Sequence, residues 1–405
     1  MDVQHVYDDG LCMQCGTCAG ICPTGAVRLD WDLRAGHRLR VDRTACNDCG
    51  ACVEACPGPG VDFRAEAWWR ERDQDVPSRD FLGPWRGLWF GWAADPAVRH
   101  AGSSGGVATA LLAGALEEDA ADAVLAVGLD TENPLRAVGV VCRTPHEVAA
   151  CRGSKYNVVP VNSLLRRVLD EPGRYALVGL PCHIQGLRLA QRRSRRLRER
   201  IVLALGIFCG LTNEPRATEV AALQAGIAPE ELAGVSYRGP GWPGGMRLQA
   251  RDGRVRRREY PDYHDRHLAA LVPSRCRLCP DALAEMADVS VGDAWLERFT
   301  GSDGVSDVIV RTPAGERLLE DLAGLLELTP ASPDEMVASQ AETYRVKRDV
   351  LRGRLWLHSL AGRPLPDYPG LDLTASPRDR RLGVAGAAQE RLFRYLADRR
   401  YPPPR

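Results

Sequence analysis

The chain has 405 residues, with 53 basic and 53 acidic side chains and a formal charge of zero. That length accommodates two or three domains around at least one sizeable core, and the charge balance excludes a global field suited to nucleic acid or an anionic membrane. The opening stretch MDVQHVYDDGLCMQCG lacks both the basic and the apolar region of a secretory signal, and no apolar run approaches the ~20 residues of a membrane span, so a cytoplasmic protein is expected.

Arginine supplies nearly all the positive charge; Lys155 and Lys347 are the only lysines, which singles both out. Fourteen cysteines are many for a reducing compartment, and without a signal so long a chain does not read as a disulfide framework. CMQCGTCAGICPTGAV (Cys12–Val27) and CNDCGACVEACPGPGV (Cys46–Val61) both read C-x2-C-x2-C-x3-C-P, an internal repeat and the run of two-cluster bacterial ferredoxins. Three closely spaced thiolates wrap one cubane, and the fourth, ahead of proline, reaches across to the other. Cys12, Cys15, Cys18 and Cys56 are assigned to one 4Fe–4S cluster, and Cys46, Cys49, Cys52 and Cys22 to the second. Zinc rarely takes eight cysteines in such a doubled pattern. Gly16, Thr17, Gly50 and Ala51 let the backbone fold tightly and turn amides toward the sulfurs. Between the repeats, AVRLDWDLRAGHRLRVD reads as two strands turning near Gly36. This module, residues 1–64, moves single electrons and has no chemistry for an organic substrate.

Residues 65–86 mix tryptophans, charges and prolines and read as a connector; Trp68, Trp69, Trp85, Trp89 and Trp92 are expected to pack rather than stack on a nucleotide. From Leu88 onward strands and helices alternate: GLWFGWAA, ADAVLAVGL, AVGVVCRT, RYALVGL and IVLALGIF as strands, with GSSGGVATALLAGALEED, SLLRRVLDEP and IQGLRLAQRRSRRLRER as helices. The fold class is α/β: an N-terminal ferredoxin-like module, then a mixed, largely parallel α/β domain over residues 87–312, then C-terminal helices. SSGGVATALL puts small residues at a helix start, where backbone amides and the helix dipole suit a phosphate, although no G-x-G-x-x-G or Walker pattern is present. GSKYNVVP is a second anion candidate: Lys155 reads equally as an anion contact or a solvated loop lysine. The run Arg188, Arg192, Arg193, Arg195, Arg196, Arg198 and Arg200 reads as a solvated helix face, with docking of an acidic electron carrier as the sharper alternative.

Six cysteines remain. Cys182 follows the strand RYALVG and Cys209 the strand IVLALGIF; consecutive parallel strands end on the same edge, where open α/β folds place ligands. CRLC supplies Cys276 and Cys279 at natural ligand spacing. The four thiolates suit zinc or a third 4Fe–4S cluster, and the eight cluster cysteines nearby favour the cluster. A nucleophile role for Cys182 with His183 is weaker, since sequence neighbours on a turn point apart. Cys142 and Cys151 read as buried thiols.

Taken together, SSGGVATALL, GSKY, VGLPCHIQGLR, GIFCG, SYRGPGWPGG and CRLCPDALAEMADVSVGDAW resemble the coenzyme F-420 hydrogenase/dehydrogenase beta-subunit family, over about residues 1–310. The resemblance implies FAD in the α/β domain beside a 4Fe–4S cluster. It carries Ser104, Gly105, Gly106 and Thr109 onto a flavin-side turn, Ser154, Lys155 and Tyr156 onto a second loop, and Asp288 and Asp293 onto acidic positions. His183 departs from the glutamine usual there. A flavin joins two-electron to one-electron chemistry, so the chain is expected to pass electrons between the deazaflavin coenzyme and ferredoxin through FAD and three clusters. The alternatives are a ferredoxin-dependent reductase of an organic substrate, as in 7-hydroxymethyl chlorophyll a reductase, or an electron-input subunit of a larger complex. The loop YRGPGWPGG has enough glycine to approach a ring system, or is an ordinary hairpin loop. In residues 313–405, AGERLLEDLAGLLEL and AAQERLFRYLADRRY read as amphipathic helices.

Overall fold

A computed structural model describes residues 2–64 and 76–402; Trp68 and Trp69 lie outside the described residues. The N-terminal module carries its cysteines on loops and on the short helices Thr17–Ile21 and Ala51–Glu54, with β1 (Val27–Asp32) and β2 (Gly36–Val41) paired antiparallel between the repeats. The repeat is visible in the backbone. Gln14 and Asp48 have φ of 58° and 53°, and Gly16 and Gly50 have φ of 86° and 71°, at matching positions of the two cysteine runs. Each run thus turns through a left-handed pair before its helix begins.

After the short ladder β3 (Ser78–Arg79) with β4 (Gly83–Pro84) come β5 (Gly87–Ala93), β6 (Ala123–Leu129), β7 (Ala137–Cys142), β8 (Tyr175–Gly179) and β9 (Ile201–Ile207). A separate three-stranded antiparallel sheet follows, β10 (Leu232–Ser236), β11 (Gly245–Ala250) and β12 (Val255–Glu259). The chain then returns to the main sheet with β13 (Val289–Asp293), β14 (Ser306–Val310) and β15 (Leu326–Pro330). The eight-stranded sheet has the order β15-β5-β14-β13-β9-β8-β6-β7. Its centre, β13-β9-β8-β6, is parallel, and antiparallel strands extend both sides.

Both faces of the sheet are covered. Val107, Leu111 and Leu319 pack one face. Ile184, Leu187 and Leu165 pack the other, where Ala55, Val61 and Phe63 of the N-terminal module join the same core. The module is therefore seated on the α/β domain. Gly20 makes the approach close: a Cβ there would stand 2.1 Å from the Asn162 carbonyl oxygen. Asn162 is fully buried and its Nδ2 donates to Thr17 Oγ1 (2.8 Å) and the His183 carbonyl (2.7 Å).

Three sequence expectations are corrected. AGERLLEDLAGLLEL is α-helical only over Pro313–Asp321, passes through a 3-10 turn at Ala323–Leu325, and enters a sheet strand, Leu326–Pro330, beside β5. The alternating Leu326 and Leu328 suit a strand as well as a helix end, the ambiguity inherent in short apolar runs. The helix after β8 begins earlier, at Pro181, and breaks at Ser194, whose hydroxyl caps a second helix, Arg195–Arg200, through Leu197 N. The basic run is not simply a solvated face either. Arg188 donates to the Met286 carbonyl and Asp288, and Arg200 donates to the carbonyls of Val168, Leu169 and Glu171. AAQERLFRYLADRRY does fall in one long helix, Pro377–Arg400, capped by Ser376. Among the described residues no helix is long and apolar enough to cross a membrane.

Candidate functional site

The thiols fall into three sets. Cys18 is buried among Cys15, Cys56 and Cys12, which with burial raise its pKa. Cys22, Cys46, Cys49 and Cys52 line one depression at the surface, with Cys49 exposed. Cys182, Cys209, Cys276 and Cys279 line a third, internal cavity. These are the sets that the repeat and the strand-end argument assign. β8 and β9 run parallel side by side, so Cys182, in the first turn of the helix Pro181–Arg193, and Cys209, just beyond β9, meet at one sheet edge. The turn Ser274–Leu278 brings the C-x-x-C pair to them.

The sets adjoin one another. Cys182 is half-buried, with Cys15 as its strongest thiol neighbour, and Cys276 is close enough to Cys12 to raise its thiol. Cys52 feels Cys22 within its own set and reaches Cys18 of the first. Arg275, 1% exposed, locks the junction: Nε and Nη2 donate to the Gly58 carbonyl at 3.0 and 2.9 Å, and Nη2 donates to Tyr368 Oη at 2.6 Å. It ties the turn bearing Cys276 to the loop after Cys56.

Burial pushes Cys12 up to about 12, Cys209 up to about 12 and Cys276 up to about 11, with crowding by neighbouring thiols adding to it. A cationic metal core beside such thiols would favour their thiolate form. Among the described residues no three Cys, His, Asp or Glu side chains gather closely enough for one metal ion. A zinc site draws its sulfurs to one centre, whereas a cubane gives each thiolate its own iron. The doubled N-terminal C-x2-C-x2-C-x3-C-P run suits 4Fe–4S clusters. Lys347 lines the third cavity, 3% exposed, in a π-helical turn, Arg345–Val350. Burial works against its charge, but Cys279, Cys209 and Cys276 outweigh it and raise the pKa. Composition alone had singled Lys347 out, without assigning it a role.

Against this cavity lies a pocket of about 460 Å³. The two share Val159, Leu180, His183, Cys209, Leu211 and Thr212 in their walls. Of the residues expected at the flavin side, Ser104, Gly106, Thr109, Ser154, Lys155, Tyr156 and Asp293 line the pocket. Gly105 does not: its left-handed backbone packs on Gly304 and Gly91, and its carbonyl accepts from Ala93 N. Asp288 is away from the pocket as well, bracing the fold through Arg188, Thr312 and Ala204 N. The helix Val107–Glu117 starts at Gly106 with no side-chain cap, leaving first-turn amides for a ligand. Gly106 sits at φ +76°, and a Cβ there would lie 2.7 Å from the Val98 carbonyl oxygen. Gly106→Ala is expected to destabilise the chain by about 1–3 kcal/mol, checked by urea unfolding.

Lys155 is half-buried in the pocket wall, and its ammonium is engaged by the backbone. Its ammonium donates to the carbonyls of Cys151, Arg152 (3.0 Å) and Gly153 (3.0 Å), at the end of the helix Pro145–Ala150. His183 is a brace: Nδ1 accepts from Leu180 N at 3.0 Å, and Nε2 donates to the Val159 carbonyl at 2.8 Å. Burial lowers its pKa to about 4, so it stays neutral.

The far end of the pocket was not legible beforehand. Arg238 forms a two-point pair with Asp293, Nη1–Oδ2 2.7 Å, and Trp242 Nε1 donates to the same carboxylate at 2.8 Å. The guanidinium lies over Trp295 and Tyr260, which stack at 5.0 Å and 19°. YRGPGWPGG is thus the β10–β11 connection and also the segment that delivers Arg238 and Trp242 to Asp293.

Comparison with known proteins agrees with this architecture. The N-terminal and C-terminal parts of the family described as "Coenzyme F420 hydrogenase/dehydrogenase, beta subunit" match residues 88–166 and 173–334, and "4Fe-4S dicluster domain" matches residues 11–58. The beta subunit of the coenzyme F420 hydrogenase of Methanococcus voltae is 30% identical over 245 residues, 58% of this chain and 81% of that protein. A subunit of the F(420)H(2) dehydrogenase of Methanosarcina mazei is 24% identical over 354 residues, 85% of this chain and 92% of that protein. In fold, the chain resembles one from the F420-reducing [NiFe] hydrogenase complex of Methanosarcina barkeri, with a TM-score of 0.56 and 21% identity over 70% of this chain and 96% of that one. Thiol sets, pocket and matched segments together place this chain in the coenzyme F420 hydrogenase/dehydrogenase beta-subunit family.

Proposed function

We propose that the chain is an iron–sulfur flavoprotein oxidoreductase that moves electrons between coenzyme F420 at the pocket and a one-electron partner at the exposed thiol set. The observation that carries this reading is the wall shared by pocket and third cavity, which includes Leu180, His183 and Cys209. It joins a site for a two-electron carrier to a row of three thiol sets ending at Cys49 on the surface. FAD in the pocket would supply the exchange between paired and single electrons.

The chain's own residues would do the rest. The uncapped amides from Val107 and the backbone of Gly106 would hold phosphate, with Thr109 beside them. Arg238 and Asp293 fix the aromatic end, where Trp295 and Tyr260 offer ring faces to a planar ligand. Neutral His183, with Nε2 toward the Val159 carbonyl and Nδ1 accepting from Leu180 N, would hold this wall in place. Cys182, Cys209, Cys276 and Cys279 would hold the linking cluster, and the eight N-terminal cysteines two more. Ferredoxin is the proposed one-electron partner. Since relatives carry the names of hydrogenase and dehydrogenase subunits, attachment to a larger complex belongs to the same reading, and native size measurement tests it.

An anaerobic assay of reduced F420 oxidation coupled to ferredoxin or dye reduction tests the function. Turnover in step with F420 consumption is expected; reduction of the dye by an organic donor with no response to F420 contradicts it. Lys347→Met gives a second check. A unit positive charge several ångström from a cluster favours the reduced form by about 2 kcal/mol at an effective dielectric near 20, roughly 100 mV for one electron. The linking cluster's midpoint potential, followed by EPR-monitored titration, is expected to fall by that order with iron content unchanged.

A further inference from the structure

Two cysteines take no part in the three sets. Cys142 is the last residue of β7 and 2% exposed. Cys151 closes the helix Pro145–Ala150 and lines the pocket. The intervening segment folds back so that their sulfurs lie 3.7 Å apart. A disulfide needs ~2.05 Å between sulfurs, within reach of a small rotation at each side chain.

We infer that Cys142 and Cys151 are a redox-active dithiol that reacts with small disulfides able to reach Cys151. The two thiols have different environments, and these set their roles. The hydrogen bond shared with Cys142, in which either sulfur can donate, and the nearby Lys155 charge lower the pKa of Cys151, against burial. Cys142 is raised by the same hydrogen bond and by burial. Lys155 is held in place by its bonds to the carbonyls of Cys151, Arg152 and Gly153. Glu147 is the acidic neighbour of both thiols and opposes ionisation of each. Cys151 lines the pocket while Cys142 is enclosed behind it, so Cys151 is the attacking thiolate and Cys142 the resolving thiol.

The chemistry balances without the clusters. The Cys151 thiolate attacks one sulfur of a disulfide RSSR, forming a mixed disulfide and releasing RS⁻. The Cys142 sulfur then attacks the Cys151 sulfur, releasing a second RS⁻. The protons of the two protein thiols end on the two leaving groups: RSSR is reduced to two RSH and the pair is oxidised to a cystine.

Peptide mapping tests this on the anaerobically purified full chain. Trypsin cuts after Arg143, so Cys142 and Cys151 fall in separate peptides, Ala137–Arg143 and Thr144–Arg152. With oxidised glutathione the two peptides are expected to appear joined, with loss of two alkylatable thiols, reversal by dithiothreitol and unchanged iron. Cys142→Ser is expected to accumulate a glutathione adduct on Cys151, and Cys151→Ser none on Cys142. Free, alkylatable thiols in both peptides at every glutathione ratio overturn the inference. So does a link that forms only as iron is lost, since released cluster thiols would then be the cause.

Discussion

Replacing Cys182 by alanine is expected to remove about four of about twelve irons and to abolish electron flow from the pocket to a one-electron acceptor. The effect is large because Cys182 stands where nothing else can substitute. It lies in the first turn after β8, beside the pocket wall on one side and Cys15 on the other. Its loss leaves Cys209, Cys276 and Cys279 with the Lys347 ammonium among them and no full ligand set. The eight N-terminal cysteines are untouched, so the remaining iron and its EPR signals should persist. Iron content and dye reduction on the same sample check this. Unchanged iron with lost turnover would restore a nucleophilic role for Cys182.

Arg238→Met is expected to cost about 3–5 kcal/mol of stability and to empty the pocket of its planar ligand. The Arg238 side chain is 4% exposed and that of Asp293 18%. Removing the guanidinium leaves a largely buried carboxylate with only Trp242 Nε1 as a side-chain donor, and an unpartnered buried charge is far more costly than an absent pair. It also removes the cation lying over Trp295 and Tyr260. Arg238→Met with Asp293→Leu is the control: most of the stability should return, because no charge is stranded, while ligand retention stays low. Urea unfolding and the flavin content of both variants separate the two effects. Equal losses in the single and double variants would mean that packing, and not the ion pair, is at stake.

What the sequence disclosed follows from how locally each feature is encoded. The grouping of the thiols was legible because their spacing is a local property, and the meeting of Cys182 with Cys209 followed from parallel strands sharing an edge. The α/β alternation was legible for the same reason. Arg238, Tyr260 and Trp295 were not, since they come from the β10–β12 sheet and the end of β13, and neither periodicity nor spacing announces a convergence made by an inserted sheet. Lys347 reaches its cavity from a π-helical turn far along the chain, and rarity was its sole signal. The helix expected through Leu328 shows the opposite limit: Leu326–Leu328, a Leu-Glu-Leu run, fits either period until β5 supplies a partner edge. His183 illustrates a third: its position drew notice as a departure from a pattern, but its role as a brace between Leu180 and Val159 is purely tertiary.

The central claim is that the pocket and the exposed thiol set are joined by a third cluster. Anaerobic rapid mixing of the chain with reduced F420, followed by freeze-quench EPR, addresses it directly. The expected result is oxidation of F420 together with the appearance of reduced-cluster signals from all three sets, with the signal assigned to Cys182, Cys209, Cys276 and Cys279 absent in Cys182→Ala. Oxidation of F420 with every cluster remaining oxidised would contradict the claim.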